Sequence, residues 1–184
     1  FKDNDILRFF KDHPLDDFPN IAGTFNSIKR GPHKADLFRY CILYIHGGIY
    51  LDIKFRCVNN FKLIELTNDE HFVLDRPGHW EKDEIGLYNA LIVSKSGNCL
   101  MKKAIDEIVL NTRYFIYGLN PLYVTGPGLL GKLHSNYYDK YPNDNSNIDI
   151  FNASSCTEMI YKNCKILEFY SEYRNEQQNS KGYL

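Results

Sequence analysis

The stretch GPHKADLFRYCILYIHGGIYLDIK, from Gly31 to Lys54, leaves the chain few ways to fold. Proline is well placed in the first turn of a helix, where its missing N–H would be unsatisfied anyway, so Pro32 marks a helix start. The sequence then runs to about His46 without glycine or proline, and Gly47 is a natural helix stop. Gly48 to Ile53 follows as a short strand with little alternation, the pattern expected when both faces are covered. Asp36 and Arg39 are three apart on the helix and share a face. Asp52 comes where the strand runs out into a loop. In open α/β sheets ligands gather at the carboxyl ends of strands, so these three residues form a candidate polar site.

The remaining elements alternate in the same way. Asp3 to Lys11 reads as a short amphipathic helix, and His13 to Asn20 as a proline-punctuated loop. Residues 58–70 read as a connection with one turn of helix. His71 to Asp75 and Leu87 to Ser94 read as strands flanking a loop from Arg76 to Gly86 that holds Trp80. Asn98 to Asn111 carries Leu100, Ala104, Ile105 and Ile108 at helical spacing. Thr125 to Ser135 opens with Gly126-Pro127-Gly128 and continues as a helix, Pro142 to Asn147 is a polar loop, and Ile148 to Phe151 and Ile166 to Phe169 are strand candidates. Alternating short strands and helices argue for an α/β fold, and 184 residues suit one domain with a real core.

Composition narrows the function. A net charge of −1 provides no basic field to hold nucleic acid. Aromatic residues make up 15% of the chain, and tyrosine-rich surfaces suit sugar rings. The five cysteines include no CxxC pair, which argues against a zinc site, and Cys156 with Cys164 is the one plausible local pair. Asn152-Ala153-Ser154 fits a glycosylation acceptor. The longest apolar run, near Tyr40 to Leu51, is too short to cross a bilayer, and no stretch reads as a signal peptide. The compartment stays open between cytosol and a secretory lumen.

The blocks Ala35-Asp36-Leu37-Phe38-Arg39-Tyr40 and Gly47-Gly48-Ile49-Tyr50-Leu51-Asp52 resemble the DXD-type glycosyltransferases, a family with a sugar-binding region that includes capsular-polysaccharide-synthesis enzymes. Phe72-Val73-Leu74-Asp75, Tyr88-Asn89-Ala90-Leu91-Ile92 and Thr125-Gly126-Pro127-Gly128 resemble further family blocks, in family order. The resemblance spans roughly residues 20 to 175, and the Asp-x-x-Arg then Asp spacing is also similar to that of the large clostridial glucosylating toxins. It implies a GT-A-type fold with a single mixed, mostly parallel sheet flanked by helices. It implies transfer of a hexose from a UDP- or GDP-sugar to a glycan, lipid or protein hydroxyl, with retention. The chain begins with Phe1, and family members carry an earlier strand and a longer C-terminal tail, so the sequence reads as part of a longer catalytic domain.

The resemblance also implies roles. Asp36, Arg39 and Tyr50 line the sugar pocket, and Asp52 meets ribose or sugar hydroxyls and a Mn²⁺ or Mg²⁺ ion. Asn89 orients donor and acceptor near the anomeric carbon, and Asp75 meets acceptor or metal. Gly126, Pro127 and Gly128 offer helix-end N–H groups to phosphate, and Tyr173 with Arg174 clamps a diphosphate. The chain departs from the motif at one position: Lys54 stands where the second acid belongs. A hard cation needs oxygen donors, which lysine lacks. Three readings stay open: metal held by Asp52 with others, Lys54 replacing the metal's charge, or a non-catalytic sugar-binding relative.

Overall fold

In a computed structural model of the chain, the described residues are 2–75, 80, 84–116, 120–140, 148–152, 158–170 and 172. Helices α1 (Asp3–Asp12) and α2 (Ile21–Ser27) precede α3 (Gly31–His46), which has Pro32 in its first turn and Gly47 as its cap. Gly47 adopts φ of 65°, and a Cβ there would lie 2.6 Å from the Ser96 nitrogen, so both backbone and space require glycine. The chain then enters β1 (Gly48–Leu51) and β2 (Phe55–Cys57), a 3₁₀ turn at Leu63–Leu66, β3 (Glu70–Leu74) and β4 (Leu87–Ser94). Helix α4 (Cys99–Arg113), a 3₁₀ turn at Pro121–Tyr123, α5 (Pro127–Lys140) and strands β5 (Ile148–Asn152), β6 (Glu158–Tyr161) and β7 (Cys164–Phe169) follow.

The mixed α/β reading holds, but the single, mostly parallel sheet does not. The strands form a four-stranded sheet in the order β1-β4-β3-β5 and a three-stranded sheet in the order β2-β7-β6. Among the described residues, only β3 with β5 is a parallel pair; β1 with β4, β3 with β4 and both pairs of the second sheet are antiparallel. The misreading has a physical cause. The parallel sheet is what the resemblance implies; the apolar runs themselves carry no direction and mark a sheet covered on both faces. Phe72 and Ile92 join the helices α1–α5 in one core, whereas Val73, Leu91 and Val93 face Phe55, Met159, Ile166 and Leu167 in a second. Burial of both faces removes the alternation whatever the strand direction.

Strand β4 is the spine of this arrangement. It pairs with β1 from Gly48↔Ser94 to Leu51↔Leu91, and the Asp52 N–H extends that ladder by donating to the Ala90 carbonyl at 2.8 Å. Asp52 is thereby fixed one step beyond β1, opposite the segment that carries Asn89. Helix α3 packs against α4 over the same sheet, which brings Asp36 and Arg39 to the same end. Cys41, Cys57, Cys99 and Cys164 are free thiols; Cys156, the Asn-Ala-Ser acceptor's Ala153 and Ser154, Tyr173 and Arg174 lie outside the described residues.

Candidate functional site

Six of the residues singled out in the sequence converge into one network: Asp36, Arg39, Tyr50, Asp52, Lys54 and Asn89. Asp36 is 8% exposed and Arg39 7%, so these charges are satisfied by protein groups. The Asn89 amide donates to Asp36 Oδ1 at 2.9 Å and to the Tyr40 hydroxyl at 3.1 Å. Arg39 Nη1 donates to the Asn89 main-chain carbonyl at 2.6 Å, while Nη2 lies 3.2 Å from Asp36 Oδ1. The guanidinium also stacks over the Tyr50 ring, 4.4 Å from its centroid, and Nη1 is 3.6 Å from Asp52 Oδ1. A planar, forked cation serves all these partners at once.

Tyr50 and Asp52 are two apart on an extended segment and point the same way; the Tyr50 hydroxyl donates to Asp52 Oδ1 at 2.8 Å. The Phe55 N–H donates to the Asp52 carbonyl, closing a tight turn over Asp52-Ile53-Lys54-Phe55. That turn folds Lys54 back on its own strand end, with Nζ 2.9 Å from Asp52 Oδ2 and over the rings of Tyr88, Phe55 and Phe169 at 5.3, 5.6 and 5.4 Å. Burial works against the ammonium, but Asp52 and Tyr88 together outweigh it and hold the Lys54 pKa above its ordinary value. Lys54 is therefore a fixed positive charge.

Two further participants, Thr125 and His33, have no site role assigned from the sequence. Thr125 Oγ1 donates to Asp36 Oδ2 at 2.7 Å, and its main-chain carbonyl accepts from the Tyr40 hydroxyl at 2.8 Å. His33 Nδ1 lies 2.6 Å from the same Thr125 oxygen. A hydroxyl has one proton to give, and Thr125 gives it to Asp36, so His33 must present Nδ1–H to the threonine. His33 reads from sequence as a solvated first-turn residue, and only folding reveals that Thr125, far along the chain, lies against it. Gly126 sits at the same place: a Cβ there would come 3.6 Å from Asp36 Oδ2. Pro127 begins α5, and Gly128 packs against Trp80 and Tyr123, where a Cβ would be 2.8 Å from the indole. Asp75 follows β3, buried, with its N–H donating to the Gly86 carbonyl at 2.8 Å.

Burial pushes the Asp36 carboxyl from its ordinary 3.8 up to about 6; Arg39, Thr125 and Asn89 pull it down, and Asp52 adds to the rise. A carboxyl raised on folding favours the folded state most below its unfolded value, and that contribution is lost as pH climbs through the folded value. The shift corresponds to about 3 kcal/mol. Urea unfolding of wild type and Asp36→Asn should therefore diverge in favour of the variant by roughly that amount between about pH 4 and pH 7. A stability difference that stays flat across this range would contradict the burial of an ionised Asp36.

The donor set does not fit a hard divalent cation at Asp52. An ammonium at 2.9 Å and a guanidinium at 3.6 Å already place two positive charges against that carboxylate. A dication beside them would be repelled by both. Among the described residues, no group of three or more His, Cys, Asp and Glu is arranged to hold a metal ion. Of the openings left by the sequence, Mn²⁺ or Mg²⁺ on Asp52 is the one the geometry disfavours.

Residues 2–73 match the family described as "glycosyltransferase sugar-binding region containing DXD motif", a span that holds Asp36, Arg39, Tyr50, Asp52 and Lys54. The chain is 42% identical over 60 residues to an uncharacterised glycosyltransferase, L373, of Acanthamoeba polyphaga mimivirus; that match covers 33% of this chain and 23% of the viral protein. It is also similar to the solved PaToxG glycosyltransferase, at 18% identity and a TM-score of 0.48 over 78% of this chain and 54% of that one. The chain thus spans well under two thirds of the length of either relative. Among the described residues, no helix is long and apolar enough to cross a membrane.

Proposed function

We propose that this chain is a glycosyltransferase domain of GT-A type that binds a nucleotide-diphosphate hexose and transfers the hexose, with retention, to a hydroxyl of a glycan, lipid or protein. The observation that carries this reading is the Asp36–Arg39–Asn89–Asp52–Lys54 network, built on the family's sugar-binding region and held rigid by its own hydrogen bonds. Both Asn89 amide protons go to Asp36 and Tyr40, and its Oδ1 has no partner among the described residues. That oxygen is free to accept from a sugar hydroxyl. Asp52 and Tyr50, both half-buried, present polar groups at the strand end, where the donor sugar would sit.

In the proposed reaction the bond between the anomeric carbon and the phosphate oxygen breaks and the electron pair leaves with the diphosphate. The acceptor oxygen bonds to the same face of the anomeric carbon, and its proton passes to the departing phosphate oxygen. The chain's contribution is electrostatic: Lys54 and Arg39 are fixed cations aimed at charge that grows on the leaving group, in a site with little water. No carboxylate base is needed.

The test is a panel of UDP- and GDP-hexoses incubated with the protein, with nucleotide release measured. Release from one donor, abolished by Asp52→Asn, is the expected result. Binding of a nucleotide sugar without release from any donor would instead mark a non-catalytic relative.

A further inference from the structure

Helix α4 ends in an exposed apolar corner. Tyr114, Phe115 and Ile116, just past its last turn, are 64%, 72% and 51% exposed. Phe115 has φ of 56°, a left-handed conformation that bulky side chains rarely adopt. It closes the helix: the Ile116 N–H donates back to the Asn111 carbonyl at 2.9 Å, with Phe115 in the left-handed position that glycine usually fills. Next to this apolar corner is a cleft of about 500 Å³ whose lining includes Lys29, Arg30, His33, Phe115, Ile116 and Thr125. Among the described residues, no acidic one lines it. Lys29 and Arg30 are exposed and make no ion pair among the described residues, and Arg113 adds an exposed cation in the last turn of α4.

We propose that this corner docks onto an anionic lipid surface, with Tyr114, Phe115 and Ile116 entering the head-group boundary and a lipid phosphate in the cleft between Lys29 and Arg30. Aromatic and alkyl side chains beside basic ones are what such a surface selects. Each lysine or arginine near it contributes through the negative surface potential. A soluble anion would use the two cations but leave three apolar side chains in water, so the combination favours a lipid surface over a free phosphate.

The cleft also shares a wall with the sugar site. Thr125 lines it, and the Thr125 hydroxyl bonds Asp36 on the far side, with His33 spanning the two. That docking brings a lipid-borne acceptor to the transfer site rests on the proposed function; docking itself does not.

The test is co-sedimentation with vesicles of phosphatidylcholine alone and of phosphatidylcholine mixed with phosphatidylglycerol, without any donor sugar, so its failure and the failure of the transferase reading are separate results. Binding to the mixed vesicles only, weakened by salt, is expected. Replacing Lys29 and Arg30 together by alanine should weaken it about 30-fold. Phe115→Gly relieves the left-handed strain, so the variant stays folded, and should weaken vesicle binding by on the order of tenfold. Equal binding to both vesicle types, no binding to either, or binding of free glycerol phosphate as tight as that of vesicles would overturn the proposal.

Discussion

Replacing Arg39 by alanine should destabilise the chain by about 3–5 kcal/mol, the range for removing one partner of a buried charge pair. The residue is 7% exposed, and its side chain cannot be replaced by water without opening the site. Its loss strips the Asn89 carbonyl of its donor, leaves Asp36 buried without its cation, and removes the group stacked on Tyr50. Arg39→Lys should recover only part, because one ammonium cannot reach both the Asn89 carbonyl and Asp36 Oδ1 as the fork does. Urea unfolding of the three proteins measures this directly. An Arg39→Ala variant within about 1 kcal/mol of wild type would place Arg39 outside the buried network.

Lys54 is expected to behave in the opposite way, with a large effect on turnover and a small one on stability. Lys54→Met keeps a long apolar stem against Tyr88, Phe55 and Phe169 and removes only the charge. Lys54 and Asp52 are half-buried, their side chains 22% and 21% exposed, so the pair itself should be worth no more than about 1 kcal/mol. Turnover should fall by about 10²–10³, the usual cost of removing one group that stabilises charge developing in a transition state. Nucleotide release and a urea curve on the same preparation separate the two effects. Loss of stability with unchanged release would make Lys54 a turn-stabilising residue.

How much of this was legible in the sequence differs from element to element. Helix α3 was readable to its ends because Pro32 and Gly47 are local signals, each acting through the conformation of its own residue. Strand β4, from Leu87 to Ser94, was readable as a long apolar run between loops. Sheet direction was not, because direction is set by which strands meet, and burial of both faces leaves the same apolar run either way. Strands β2 and β6 and helix α2 are short, and their apolar residues find partners only across the fold, as Phe55 does with Leu167 and Phe25 with the α1 and α3 side chains.

The site divides along the same line. Asp36, Arg39 and Asp52 announced themselves through spacing on one helix and one strand end. Lys54 announced itself by standing where an acid was expected. Thr125 and His33 are 92 residues apart, and their contact depends on how α5 and α3 pack, which no local pattern encodes. Only the shared oxygen of Thr125 shows that His33 helps fix the Asp36 carboxylate.

In the proposed reaction the fixed cations Lys54 and Arg39 meet the donor diphosphate. The most direct measurement is nucleotide release by the wild-type protein from its preferred donor sugar, with Mn²⁺ added and with EDTA. Release that survives EDTA, and that Lys54→Met lowers by about 10²–10³ under both conditions, is the predicted result. Release that requires Mn²⁺ and is indifferent to Lys54→Met would contradict it.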